Sequence, residues 1–160
     1  MAKKDNKTNA MRILDRMKIS YEVLTHECDS FVDGISSAAQ LNLPVEQVFK
    51  TIVTTGKSKA HYVFVLPVDK EIDFKKAAKS VGEKSLEMLS LQDLTPLTGY
   101  VRGGCTAIGM KKQFPVVIDD SAYAQEYIYI SAGKLGVKLC LKPEDFCKAA
   151  NGKFAEITFN

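Results

Sequence analysis

The chain has no tryptophan, and its 160 residues include only two histidines and four cysteines. His26 and His61 stand far apart, and Cys28, Cys105, Cys140 and Cys147 contain no C-x-x-C pair. No metal-ligand spacing results, so no metal and no cofactor is expected, and reduced thiols are the simplest reading. No apolar run is long enough to span a membrane, and Met1–Lys7 lacks the apolar core of a signal peptide. A cytoplasmic protein without a membrane partner is expected. Charge is also unremarkable. A net +3 falls well short of the basicity that would by itself announce a nucleic-acid binder. Linkers, repeats and low-complexity segments are missing too, so residues 1–160 read as one domain. With 46% apolar and 26% charged residues, such a chain should bury about 70% of its unfolded surface.

The punctuation of the chain gives its elements. Asn6 or Thr8 can cap a helix whose Ala10, Ile13, Leu14 and Met17 recur at helical spacing. Tyr21–His26 alternates like a strand, and Ser36 or Ser37 starts a short helix that ends before Pro44. Val48–Val53 and His61–Pro67, joined across Gly56-Lys57-Ser58-Lys59, read as an antiparallel hairpin. Asp73 caps a helix from Phe74 to Ser80 that Gly82 closes. Ser90-Leu91-Gln92-Asp93 resembles a capping box. Strands are expected at Pro115–Asp119, Tyr127–Ser131, Val137–Leu141 and Phe154–Phe159, with a helix opening at Pro143. About seven strands and short helices without a regular βαβ rhythm predict an α+β fold on a mixed, partly closed sheet.

Two stretches carry chemistry. In Val48-Phe49-Lys50-Thr51-Ile52-Val53, strand alternation puts Phe49, Thr51 and Val53 on one face and Val48, Lys50 and Ile52 on the other. One ammonium then lies among apolar groups. A lysine snorkelling at a sheet edge would look the same. The second stretch is Thr98–Gly109, with four glycines in the eleven residues from Gly99 to Gly109. A loop so free of side chains can aim backbone N–H groups at a ligand. Together they make a candidate pocket for an anion or a carbonyl group.

Other residues have plainer explanations. Cys105 in the glycine loop could be a nucleophile, but no activating base is recognisable beside it. His26 ends a strand before Glu27, Asp29 and Asp33 and suits a polar pocket rim as well as a general base. Asp145 stands in a first helical turn, where the helix N-terminus already favours a carboxylate. Ser131-Ala132-Gly133 is either a simple turn or a second backbone wall. Lys75, Lys76, Lys79, Lys84, Lys111 and Lys112 could track phosphates or form a solvated face.

The order of these motifs resembles the YbaK/EbsC family. It runs from Phe49-Lys50-Thr51 through Val65-Leu66-Pro67, Asp73–Ala78 and Thr98–Lys112 to Ile130-Ser131-Ala132-Gly133-Lys134. Members are free-standing aminoacyl-tRNA deacylases, similar to the editing domain of bacterial prolyl-tRNA synthetases. The resemblance implies a mixed, mostly antiparallel sheet curved into a barrel-like form with helices around it. It implies that Lys50 is the essential lysine with Thr51 beside it, and that Gly103 and Gly104 form the loop wall. Ser131, Ala132 and Gly133 would form the second turn, Asp145 the carboxylate near the pocket, and His26 the position where some members carry an aromatic hydroxyl. Ala107 replaces a proline common in the family loop.

The implied substrate is the acceptor end of Cys-tRNA(Pro), with prolyl-tRNA synthetase a candidate partner. The implied mechanism is attack by the cysteinyl thiol on its own ester, leaving a cyclic thioester. Such a second sieve makes sense because cysteine and proline are close in size, and one small apolar group is worth only ~1–3 kcal/mol of discrimination. Two alternatives stay open: water-driven deacylation of alanyl- or seryl-tRNA, and a non-catalytic module that binds tRNA or a synthetase.

Overall fold

The architecture is two β-sheets that part at a cleft, with helices packed around them. The computed structural model describes residues 7–26 and 33–159. Asn6, Glu27, Cys28 and Asp29 lie outside the described residues. Helix α1 (Asn9–Arg16) begins where Met11 N–H donates to Thr8 Oγ1 at 3.2 Å, and it buries Ala10, Met11 and Leu14. Strand β1 (Glu22–Thr25) follows, then α2 (Gly34–Gln40). Asp33, rather than either serine, caps α2, because Ser36 N–H donates to Asp33 Oδ1 at 2.8 Å.

Strands β2 (Phe49–Gly56) and β3 (His61–Pro67) form the expected antiparallel hairpin, with Lys50 opposite Leu66. Helix α3 (Phe74–Val81) is capped by Asp73 and closed by Gly82 in the left-handed conformation. Next come β4 (Leu86–Met88), which the sequence did not signal, and α4 (Leu91–Thr98). Ser90 stands at the N-cap of α4 without making a side-chain cap hydrogen bond. The rest is β5 (Val116–Asp119), β6 (Ile128–Ser131), β7 (Val137–Leu141), α5 (Pro143–Ala150) and β8 (Gly152–Ala155).

The last strand ends earlier than the alternation of Phe154–Phe159 suggests. Ile157 N–H and Thr158 Oγ1 donate instead to the buried Asp119 Oδ1, at 3.1 and 3.4 Å. An isolated bridge then pairs Thr158 with Ile72.

The larger sheet has the order β4-β2-β3-β5-β8 and the smaller one β1-β7-β6. Four strand pairs are antiparallel, while β3–β5 and β5–β8 are parallel, so the α+β, mixed and mostly antiparallel reading holds. Val63 and Val65 of β3 enter the main core, and Phe64 and Leu66 face a second cluster that includes Ala77 of α3. A strand buried on both faces reads as a continuous apolar run, as His61–Pro67 does.

The barrel-like closure does not occur. A barrel needs continuous pairing around its circumference, yet among the described residues the two sheets meet at a single parallel bridge, Val48 to Tyr129. Further along the same edge of β2, Thr54–Gly56 pair with β4 and Leu89 N–H donates to Val53 O. Among the described residues no strand pairs with that edge between Lys50 and Ile52. The cleft opens there.

Candidate active site

The cleft has a volume of about 700 Å³ and takes its walls from both sheets, the first turn of α2, α4 and the glycine loop. Lys50 and Thr51 both line it, although their side chains alternate, because the cleft wraps the unpaired edge of β2. The strand faces are as anticipated. Phe49 and Val53 sit in the main core, and Val48 lies in a small cluster with Ala38 and Val68. Lys50 is half-buried, and burial pushes its pKa down. The charges of Glu71 and Asp69 work against that shift, so they favour the ammonium.

Gly103 lines the cleft, and Gly104 is buried behind it. A Cβ at Gly104 would lie 2.8 Å from the backbone carbonyl carbon and Cα of Lys134. The glycine loop and the 131–136 turn are therefore in backbone contact, and Ser131 Oγ adds a hydrogen bond to Gly103 O at 3.3 Å. Tyr100 holds the loop from below, its hydroxyl donating to Ile108 O at 2.7 Å. What looked like two walls is one unit.

Of the remaining anticipated residues, Ser131 and His26 line the cleft. His26 N–H donates to Gly136 O at 2.8 Å, and its buried Nδ1 has no hydrogen-bond partner among the described residues. Ala132 is fully buried in the core, and Gly133 (φ 104°) packs against Tyr100, so both support the turn from behind. Asp145 lies in the first turn of α5 and is not among the residues lining the cleft. Its placement fits the interaction with the helix N-terminus.

Cys105 lines the cleft at 8% exposure, and burial pushes its thiol up to about 12. That environment stores a thiol rather than arming a thiolate. Arg102 of the glycine loop lines the cleft too, and some lining residues escaped the sequence reading: Lys138, and an apolar rim of Ile35, Met88 and Leu91 that stays exposed. In Val137-Lys138-Leu139-Cys140-Leu141 simple alternation places Lys138 on an outer face. Only its position on β7, the central strand of the smaller sheet, reveals that this face is covered.

The arrangement can do three things. It can hold a small acyl group, bring the bare backbone at Gly103 against it, and set an ammonium beside a developing oxyanion. It offers no activated protein nucleophile among the described residues.

Comparison with known proteins agrees with this chemistry. The model of the aminoacyl-tRNA editing domain matches residues 32–149. EbsC of Enterococcus faecalis, named provisionally as a Cys-tRNA(Pro)/Cys-tRNA(Cys) deacylase, is 44% identical over 161 residues, covering 99% of this chain and 98% of that protein. A crystal structure described, also provisionally, as a trans-editing enzyme for prolyl-tRNA synthetase superposes with a TM-score of 0.79 at 18% identity, over 96% of this chain and 99% of that one. A crystal structure of a hypothetical protein gives a TM-score of 0.85 at 17% identity, over 95% and 100% of the two chains. These two structures share the fold. The family match and the relative in Enterococcus show that this chain belongs to the aminoacyl-tRNA editing family.

Proposed function

We propose that the protein is a trans-editing deacylase that clears Cys-tRNA(Pro) in the cytoplasm, with the substrate's own thiol cutting the ester. One observation carries the reading: Lys50 and the glycine-loop backbone face a single cleft in which Cys105, the only thiol on its wall among the described residues, is held protonated by burial. A site that supplies positioning and oxyanion donors but no nucleophile suits a substrate that brings its own.

The cysteinyl sulfur attacks the ester carbonyl carbon, the C–S bond forms, and the C–O bond to the ribose breaks. The cyclic thioester that leaves is then opened by water. In this scheme Lys50 meets the ester oxygen, Gly103 and Gly104 supply the loop wall, and Thr51, Ser131 and His26 contact the aminoacyl group. Ala132 and Gly133 hold the second turn in place. Asp145 acts only indirectly, through the start of α5. Selection of the tRNA falls to a prolyl-tRNA synthetase partner. Among the described residues no helix is long and apolar enough to cross a membrane.

Lys50 substitutions test the site. Lys50→Ala should fold normally and lose roughly 2–4 kcal/mol of transition-state stabilisation in Cys-tRNA(Pro) deacylation, the size of one oxyanion donor. Lys50→Arg keeps the charge but changes its shape and donor geometry, and it should fail nearly as badly. Near-normal turnover by Lys50→Ala would remove Lys50 from the mechanism. Full rescue by arginine would reduce its role to a general positive field.

A further inference from the structure

Lys138 sits on β7 with Leu24 of β1 opposite on one side and Ser131 of β6 on the other. It is 6% exposed and lines the cleft, deeper than Lys50. Among the described residues no carboxylate pairs with it and no acceptor meets its ammonium. A buried charge without a partner is unfavourable, so the pKa of this lysine is pushed down, and burial is the sole cause.

The groups around it do not reverse that. Asp33, the one carboxylate on the cleft wall among the described residues, is held by Ser36 at the start of α2. Lys50 and Arg102 line the same cleft, and Cys105 is a neutral thiol. His26 lies at the end of β1. On the same face of the smaller sheet, Glu22 acts on Cys140 rather than on Lys138. Lys50 and Lys138 thus line one cleft, and burial pushes both down. Asp69 and Glu71 favour the ammonium of Lys50, and nothing comparable supports Lys138. A buried amine that lines the cleft and meets no partner among the described residues is placed to take a proton from a bound ligand.

We propose that Lys138 is the proton acceptor and then the counter-ion for the thiol of the bound cysteinyl ester, an assignment that rests on the deacylase reading. The amine of Lys138 takes the thiol proton, leaving an ammonium beside a thiolate. The sulfur lone pair attacks the carbonyl carbon, the C–S bond forms, and the C–O bond to the ribose oxygen breaks. That oxygen collects the proton from Lys138, which returns to the amine, so no outside acid, base or oxidant is needed. The same group selects the substrate. An alanyl ester has no side-chain proton to give, and a seryl hydroxyl is too weak an acid to give one to an amine.

The test uses the full chain with Lys138→Met and, as a polar second variant, Lys138→Gln, each shown to be folded by thermal unfolding. Removing an unpartnered buried amine should leave the fold at least as stable. With Cys-tRNA(Pro), kcat should fall about a hundredfold or more near neutral pH, with KM within a few-fold of wild type. The deficit should shrink as pH rises through the ordinary thiol range near ~8.5, where solvent supplies the thiolate.

A second readout needs no turnover. An analogue carrying cysteine in amide linkage to 3′-amino-3′-deoxyadenosine is bound, and its thiol is titrated by the ultraviolet absorbance of the thiolate. Wild type should lower the midpoint by at least about one pH unit relative to free analogue, and both variants should abolish that shift. Unchanged kcat in folded variants, a deficit equal at every pH, or identical thiol titration on wild type and variants would each overturn the assignment. A wild type that shifts the thiol but releases no cysteine from tRNA would contradict the deacylase reading and leave the ion pair standing.

Discussion

At the scale of residues, burial sorts groups that look equally reactive in sequence. With its thiol pushed up to about 12, Cys105 stays almost wholly protonated at neutral pH. Cys105→Ser should keep cysteinyl-tRNA deacylation within a few-fold of wild type. Iodoacetamide should label the native thiol far more slowly than a free cysteine. A hundredfold loss of turnover in a folded Cys105→Ser would restore the enzyme nucleophile. The stability sign follows from the raised pKa: burial of the neutral thiol helps fully below the ordinary thiol value of 9.0, and that help is lost as pH rises towards 12. Lys50 could be read in advance because its apolar neighbours alternate cleanly around it. Lys138 could not, since a lysine between valine and leucine on a strand ordinarily points to water.

At the scale of elements, the glycine loop and the 131–136 turn depend on close backbone approach. A methyl group at Gly104 meets Lys134 backbone atoms at 2.8–3.0 Å, and a main chain cannot swing aside as a side-chain end can. Gly104→Ala should therefore cost about 1–3 kcal/mol of stability, the usual penalty of overpacking. It should also displace Gly103 enough to lower kcat/KM at least about tenfold. Urea unfolding and steady-state kinetics on the same preparation check both, and wild-type values in both would mean that the contact is slack. The caps and turns of α1, α3 and α5 were legible because Thr8, Asp73, Gly82 and Pro143 each act on the backbone nearest to them. Strand β4 was not, since Leu86–Met88 is too short for any period to show. The end of β8 was hidden for another reason: Asp119, remote in sequence, draws Ile157 and Thr158 out of the sheet.

At the scale of the whole molecule, the site exists because two sheets fail to join. Local alternation specified the strands, whereas closure depended on which strand occupied each edge of β2, a question of long-range pairing. The departure from a barrel and the place of the cleft are thus one fact. Charge acts at this scale too. Lys75, Lys79, Lys84 and Lys112 are exposed, while Lys76 is engaged by Glu156 and the Thr158 carbonyl. Binding of tRNA should weaken with salt, with a slope of log K against log salt of at least about −2. A slope near zero would mean that the aminoacyl group alone is recognised.

The most direct test of the account compares release of free tRNA from tRNA(Pro) charged with cysteine, serine or alanine, under single turnover. Serine differs from cysteine only in the atom that would attack, so the pair isolates the substrate's nucleophile from pocket size. The account predicts rapid release from the cysteinyl ester, slower release from the seryl and alanyl esters by at least about a hundredfold, and capture of a cyclic thioester by hydroxylamine. Equal rates on cysteinyl and seryl esters, or tight binding with no release from any of the three, would contradict it.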